Sequence, residues 1–386
     1  MFYRNQSEGD KRSGALKFAA QTLWRMPGRF GMACLLGPSY SLRCVVFHDI
    51  SPAESSFTRG MGVSITPTDF ECALKFLTRY YTPVRMQDVL SACDGRGLPP
   101  RAVLVTFDDG YASVREWAAP LCGKFGVPVT LFLNAAFLDN QRLAPDNLVC
   151  YAANELGMGI INAAARVAKG ADTLELKSQG EVFSRFFPAI SLVERKVFLD
   201  ALAHLGGINE HQLAEEAGLY LTRMQLCDLG SLDFEIGNHT YTHVRCRSLT
   251  PEDLVGEIDR NKAELEAVAG KKVRSFSVPY GSSEDLTSDL VGHLKHSGHE
   301  AAFLSESAAN LRDADKFQLD RVSMHADSDD TLFFQIEVLP RLRVTRNRLF
   351  HGPEFLRNDR RPPSSDQFGG LKRDSIPNVD RIEPRV

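Results

Sequence analysis

The 386-residue chain has no C-x-x-C pair among its eight cysteines. Cys34, Cys44, Cys72, Cys93, Cys122, Cys150, Cys227 and Cys246 are scattered, which excludes a zinc knuckle or a disulfide framework and leaves reduced, mostly core thiols. It has no basic surplus either. The formal net charge is −4, so no nucleic-acid partner is expected. Long apolar runs are missing: "FGMACLLG" is far too short to span a bilayer, and the polar start "MFYRNQSEGDKRSG" does not read as a signal peptide. No internal repeat is seen. With 43% apolar and 24% charged residues, the expectation is a cytoplasmic, enzyme-sized globular protein. Residues 15 to 38 are compatible with an amphipathic surface helix.

What is present is an alternation of apolar runs and helical patterns. "RCVVF" (43–47), "AVLVTF" (102–107), "PVTLFL" (128–133), "DFEIG" (233–237), "VRSFSV" (273–278) and "EAAFL" (300–304) read as strands, with another near 318–323. Between the first two, Thr66 caps a helix with Pro67 at its first position and Asp69 in its first turn, and Phe70, Leu74 and Leu77 share one face. Further helices are expected at about 113–125, 250–269, 284–297 and 329–338. Such alternation predicts parallel βαβ units in an α/β barrel or open sheet, with the active site at the C-terminal strand ends. Residues 1–40 form a helical or irregular lead-in, 41–339 the main domain, and 340–386, rich in Pro, Ser, Gly and Arg, a tail expected to be disordered.

Three strand ends carry chemistry. "LVTF" runs into Asp108-Asp109-Gly110, "FEIGN" into His239-Thr240-Tyr241-Thr242-His243, and "SFSV" into Pro279-Tyr280-Gly281. Neighbouring carboxylates at the end of a buried strand repel each other and resist burial unless a cation neutralises one of them. His239 and His243, four apart, reach one point if their segment makes a helical turn. Two histidines and a carboxylate leave open positions on a divalent metal, and the second carboxylate then stays ionised as a base. Each element alone has an ordinary reading, as a turn or a chance spacing. Their joint occurrence after strands carries the argument.

"TFDDG", "HTYTH" and "VPYG", in this order, resemble the signature motifs of the polysaccharide deacetylase family, also called the NodB homology domain or carbohydrate esterase family 4. The resemblance covers roughly residues 43 to 335 and implies an irregular (β/α)7-type barrel. It implies that Asp109, His239 and His243 bind one divalent metal, zinc by default with cobalt, nickel or iron as alternatives. It makes Asp108 the general base and gives the backbone N–H of Tyr280 to the oxyanion. "VVFHDI" is similar to the poly-N-acetylglucosamine deacetylase-like subgroup, in which a histidine here, His48, is the general acid. The implied activity is hydrolysis of an N-acetyl group on the amino sugar of a glycan, a C–N bond other than a peptide bond. An amidohydrolase on a small non-sugar amide and a non-catalytic carbohydrate-binding domain are the alternatives.

The chain departs from the pattern in places. The arginine that many members carry just before the third-motif proline is absent, and Arg274 lies too far along its strand to replace it. Arg321 is a candidate for the missing cation. "RVSMH" offers His325 as an alternative acid, with Val322 where leucine is usual, and His48 is favoured. The stretch between the first two motifs is long for the family. Residues 140–225 read as a helical insertion that shapes substrate access, with helices near 145–168, 192–205 and 222–229, the last with a Thr222/Gln225 capping box. Leu192, Val193, Val197, Leu199 and Leu202 are available to a core there, while His204 and His211 read as surface residues.

Overall fold

A computed structural model describes Thr22, residues 25–33, Leu35, and residues 41–93, 97–171, 175–229, 233–311, 314–325 and 328–351. The strands are β1 (Leu42–Phe47), β2 (Asp49–Ile50), β3 (Ser64–Ile65), β4 (Thr82–Pro83), β5 (Ala102–Phe107), β6 (Val129–Leu133), β7 (Phe234–Asn238), β8 (Ser275–Ser277), β9 (Ala301–Leu304), β10 (Leu319–Asp320) and β11 (Val322–Ser323). The main ladder runs β10-β9-β8-β7-β6-β5-β1-β11, with every pair parallel. β10 and β11 are consecutive pieces of one segment broken at Arg321. The first piece pairs with β9 and the second with β1. One segment thus bridges both ends of the ladder and nearly closes an eight-strand barrel, the α/β fold expected from the alternation. β4 adds to the start of β5, and β2 with β3 forms a small separate ribbon.

Period-two alternation divides the apolar strand residues between two cores. Val45, Phe47, Val105 and Phe107 face outward onto Phe70, Leu74 and Leu77 of the helix Pro67–Tyr80, which Thr66 caps as expected. Burying each of those three side chains contributes about 1.5–3 kcal/mol. Cys44, Leu104, Phe132 and Phe303 belong to the second core. Phe132 and Phe303 lie on strands that are not neighbours, and their rings meet at 5.5 Å across the barrel interior. Gly237 of β7 makes room for this. A Cβ there would come within 2.3 Å of the Phe132 ring.

The insertion helices Pro145–Tyr151, Met158–Lys169 and Leu192–Gly206 pack around Val149, Ile161, Phe183, Phe198 and Leu202, in a core that also takes in Met61, Val63 and Tyr111 from the barrel's loops. The Thr222/Gln225 capping box forms at the start of helix Arg223–Leu229, and His204 and His211 are exposed.

Several expectations are corrected. Val193 and Val197 are exposed, because the buried face of their helix runs through Arg195, Phe198 and Leu202, out of phase with them. Order does not end at 340: the helix Leu339–His351 continues the preceding turns, and Arg341 is buried against Glu337. Residues 352–386 lie outside the described residues. Near the N-terminus a turn at 26–28, with Pro27 and Gly28 (φ 73°), precedes the short helix Arg29–Ala33, so no single helix runs through 15–38. Most of 1–40 lies outside the described residues. Cys44, Cys72, Cys122, Cys150, Cys227 and Cys246 are free thiols. No helix among the described residues is long and apolar enough to cross a membrane.

Candidate metal centre and active site

The site stands on the C-terminal ends of β5, β7 and β8, with β1 and β11 beside them. Asp108 N–H donates to the Phe47 carbonyl (3.0 Å), so the β5 ladder runs one residue past Phe107. Thr106 and Asp108, two apart, share the inward face. The chain then turns sharply, with Asp109 at φ 71° and Gly110 at φ 74°. A left-handed backbone at an ordinary residue costs roughly 1–2 kcal/mol, and it brings a second carboxylate to the pocket that strict alternation would have turned away.

His239 and His243 do meet, but not through a helical turn. Thr240 (φ 63°) and His243 (φ 53°) are both left-handed, and the loop between them is irregular. Buried amides hold it in place. Asn134 donates to the carbonyls of His239 and Thr240, and Asn238 accepts the Thr240 N–H at 3.0 Å. Asn261 braces Asn238 at 2.7 Å, and Asn238 in turn reaches His299 Nε2 at 3.2 Å.

One ligand atom each from Asp109, His239 and His243 falls within 4.8 Å of the others. Asp109 Oδ1 is 3.4 Å from His239 Nε2 and 3.5 Å from His243 Nε2. The ring orientations fit a metal. His239 Nδ1 lies 2.8 Å from the Ser277 carbonyl and His243 Nδ1 lies 2.6 Å from Asp146 Oδ2. Both partners accept, so each Nδ1 keeps its proton and each Nε2 is the atom that would face an ion beside Asp109. The donor set suits a divalent ion.

Asp108 sits against this triad, its Oδ2 3.7 Å from His239 Nε2. The fully buried Arg321, at the break between β10 and β11, meets it with two parallel bonds of 2.7 Å, Nη1 to Oδ1 and Nη2 to Oδ2. Arg321 also donates to the hydroxyls of Thr106 (3.2 Å), Ser277 (2.8 Å) and Ser305 (3.0 Å). Arg274 is engaged elsewhere, with Glu300. Burial pushes the Asp108 carboxyl up, but Arg321 and then His239 outweigh it and hold it below the usual range. Asp109 is likewise held down against burial, by His243 and His239.

Strand register places the two candidate acids. Phe47 pairs with Phe107 and Val46 with Ser323. Continuing both ladders sets His48 level with Asp108 on one side and His325 on the other. Burial lowers His48, opposed by the charges of Asp109 and Asp108. His325 lies at the rim with part of its surface in solvent. The protein around its ring, and then the charge of His48, push it down to about 4.

Tyr280, left-handed at φ 62°, follows β8, and its ring packs 4.9 Å from that of His243. Its hydroxyl donates to Asp146 Oδ1 at 3.0 Å. Sequence reasoning missed Asp146, Arg195, Ser277 and the asparagine network. No local pattern marks them, since each becomes relevant only through a partner far along the chain.

A family model described as Polysaccharide deacetylase matches residues 221–299, a span that holds His239, His243 and Tyr280. The fold is similar to that of the Streptococcus pyogenes deacetylase PplD in complex with acetate, at 12% identity and TM-score 0.51, covering 77% of this chain and 98% of that one. IcaB from Ammonifex degensii is similar at 18% identity and TM-score 0.48, covering 79% of this chain and 98% of that one. A de-N-acetylase from Aggregatibacter actinomycetemcomitans is similar at 17% identity and TM-score 0.45, covering 72% and 93%. The chain has no match among curated proteins. The three motifs are gathered at one end of this barrel, the second and third lie within the stretch that the Polysaccharide deacetylase model matches, and the fold is similar to that of a deacetylase.

Proposed function

We propose that this chain is a metal-dependent N-deacetylase that hydrolyses an N-acetyl group on the amino sugar of a glycan. The observation that carries the reading is the division of labour between two adjacent carboxylates. Asp109 faces the two histidine Nε2 atoms, while Asp108 is held ionised by Arg321 beside them. A divalent ion on Asp109, His239 and His243 would supply an acidified water and a polarised amide carbonyl. Asp108 accepts the proton of the attacking water, a role that requires it to be ionised and within reach. Arg321 fixes its plane and keeps it deprotonated. The backbone N–H of Tyr280 donates to the developing oxyanion, a contribution of about 3–4 kcal/mol in comparable sites.

His48 then protonates the departing amine. Continuing the β1–β5 register sets it level with Asp108, beside the group that takes the water proton. His325 is the more exposed of the two. The products are acetate and a free amino sugar, and zinc is the ion we assign to the site by ligand chemistry.

The test is acetate release from N-acetylated chito-oligosaccharides and poly-N-acetylglucosamine by zinc-loaded protein, run beside Asp108→Asn. Release by the wild type and its loss in the variant support the reading. Hydrolysis of simple ureides or cyclic amides without acetate release would replace it with a small-amide hydrolase.

A further inference from the structure

The two histidines of the candidate metal site are held by different parts of the molecule. His239 donates from Nδ1 to the Ser277 carbonyl (2.8 Å), a backbone atom of β8 in the barrel. His243 donates from Nδ1 to Asp146 Oδ2 (2.6 Å), and Asp146 is a buried residue of the insertion helix Pro145–Tyr151. The backbone of His243 is held by the insertion as well. Arg195, on the helix Leu192–Gly206, donates from Nη2 to the His243 carbonyl at 2.9 Å.

We infer that Asp146 and Arg195 are positioning residues of the metal centre, and that ion binding and docking of the insertion on the barrel are one coupled equilibrium. The inference rests on the metal site proposed above.

Three observations support it. Arg195 is only 8% exposed, and among the described residues no carboxylate pairs with it. A buried guanidinium in that state is costly, and its contacts are the His243 carbonyl and the face of Phe187 at 5.2 Å. The His243 backbone is left-handed (φ 53°), a conformation that needs outside support, and Arg195 provides it. Asp146 also accepts the Tyr280 hydroxyl, so one carboxylate ties the insertion to the loops after β7 and β8 together.

The consequence is reciprocal. If the insertion aims His243 Nε2 at Asp109, an ion that needs this aim must stabilise the docked insertion by the same factor. The apolar core around Phe183, Phe198 and Leu202 also takes in Met61, Val63 and Tyr111 of the barrel's loops, so docking of the insertion buries apolar surface of both parts. The stretch assigned from sequence to substrate access is thereby also part of the ion site.

The experiment measures zinc affinity by competition with a chromophoric chelator for wild type, Asp146→Ala and Arg195→Met. Amide hydrogen exchange over 145–206 is followed with and without zinc. Loss of a partner to a metal-binding histidine typically weakens binding by about 10–100-fold. Asp146→Ala should show that loss, Asp146→Asn a smaller one, and zinc should slow exchange of the insertion in the wild type but not in Asp146→Ala. The visible spectrum of the cobalt-substituted protein should shift in Asp146→Ala, as a merely structural role would not require. Wild-type zinc affinity in both Asp146→Ala and Arg195→Met would overturn the inference and leave the metal site standing. A wild-type protein that binds no zinc would overturn both. Should Asp146→Ala fail to fold, Arg195→Met decides by the same criteria.

Discussion

Arg321 and Asp108 face each other through two bonds of 2.7 Å inside the barrel, although they are 213 residues apart. Arg321 occupies the break at which one strand pairs first with β9 and then with β1. The residue that nearly closes the barrel therefore also sets the charge of the candidate base.

Removing that guanidinium should be felt in both stability and pH dependence. Arg321→Met leaves a buried carboxylate unpaired, at a cost of about 3–5 kcal/mol. Burial then pushes Asp108 upward without the guanidinium that opposes it most. A base with a raised pKa is protonated at higher pH, so the acid limb of the kcat/KM profile should move up. Arg321→Lys keeps the charge but loses the paired geometry, and should fall between wild type and Arg321→Met. An acid limb unmoved in Arg321→Met would show that Arg321 does not act on the base.

The two carboxylates should separate by phenotype. Asp109→Ala, His239→Ala and His243→Ala are expected to lose metal on dialysis, read by metal content per chain. Asp108→Asn is expected to retain it while losing most turnover. Metal retained by all three ligand variants would move the ion elsewhere.

His48 and His325 follow the ends of the adjacent strands β1 and β11, and turnover distinguishes them. His48→Ala should lower acetate release by about 10²–10⁴-fold, the usual contribution of a general acid. His325→Ala should lower it far less. The reverse ranking would assign the proton to His325.

His299 gives a stability prediction away from the chemistry. Burial, and then the charge of Lys262, push it down from 6.5 to about 3. Between those values the unfolded chain binds a proton that the folded chain refuses. Its contribution is therefore intact above about pH 6.5 and is lost as pH falls toward 3, with a slope of at most about 1.4 kcal/mol per pH unit. Urea midpoints of wild type and His299→Gln across this range should converge as pH falls. Parallel midpoint curves would show that His299 is not what titrates.

Much of the architecture was legible because it rests on local chemistry. Thr66, Pro67 and Asp69 begin a helix wherever they occur together, and a run such as "AVLVTF" suits a strand covered on both faces. The motif residues were legible for the same reason, as each follows a strand directly. The failures were also physical. Val193 and Val197 are apolar, but the phase of their helix is set by where Arg195, Phe198 and Leu202 find partners. The composition after 340 suggested disorder, yet the helix continues while Glu337 is buried against Arg43 and Arg341.

From its residues alone this chain specifies its strands and helices, the parallel alternation, and which side chains stand where strands end, because propensity, capping and periodicity act over a few neighbours. Tertiary structure decides how those ends are used: Asp109, Thr240, His243 and Tyr280 in left-handed backbone, Arg321 on Asp108, and Asp146 and Arg195 on His243. Those pairings join residues up to 213 positions apart. Only closure of the barrel and docking of the insertion bring them within hydrogen-bonding distance.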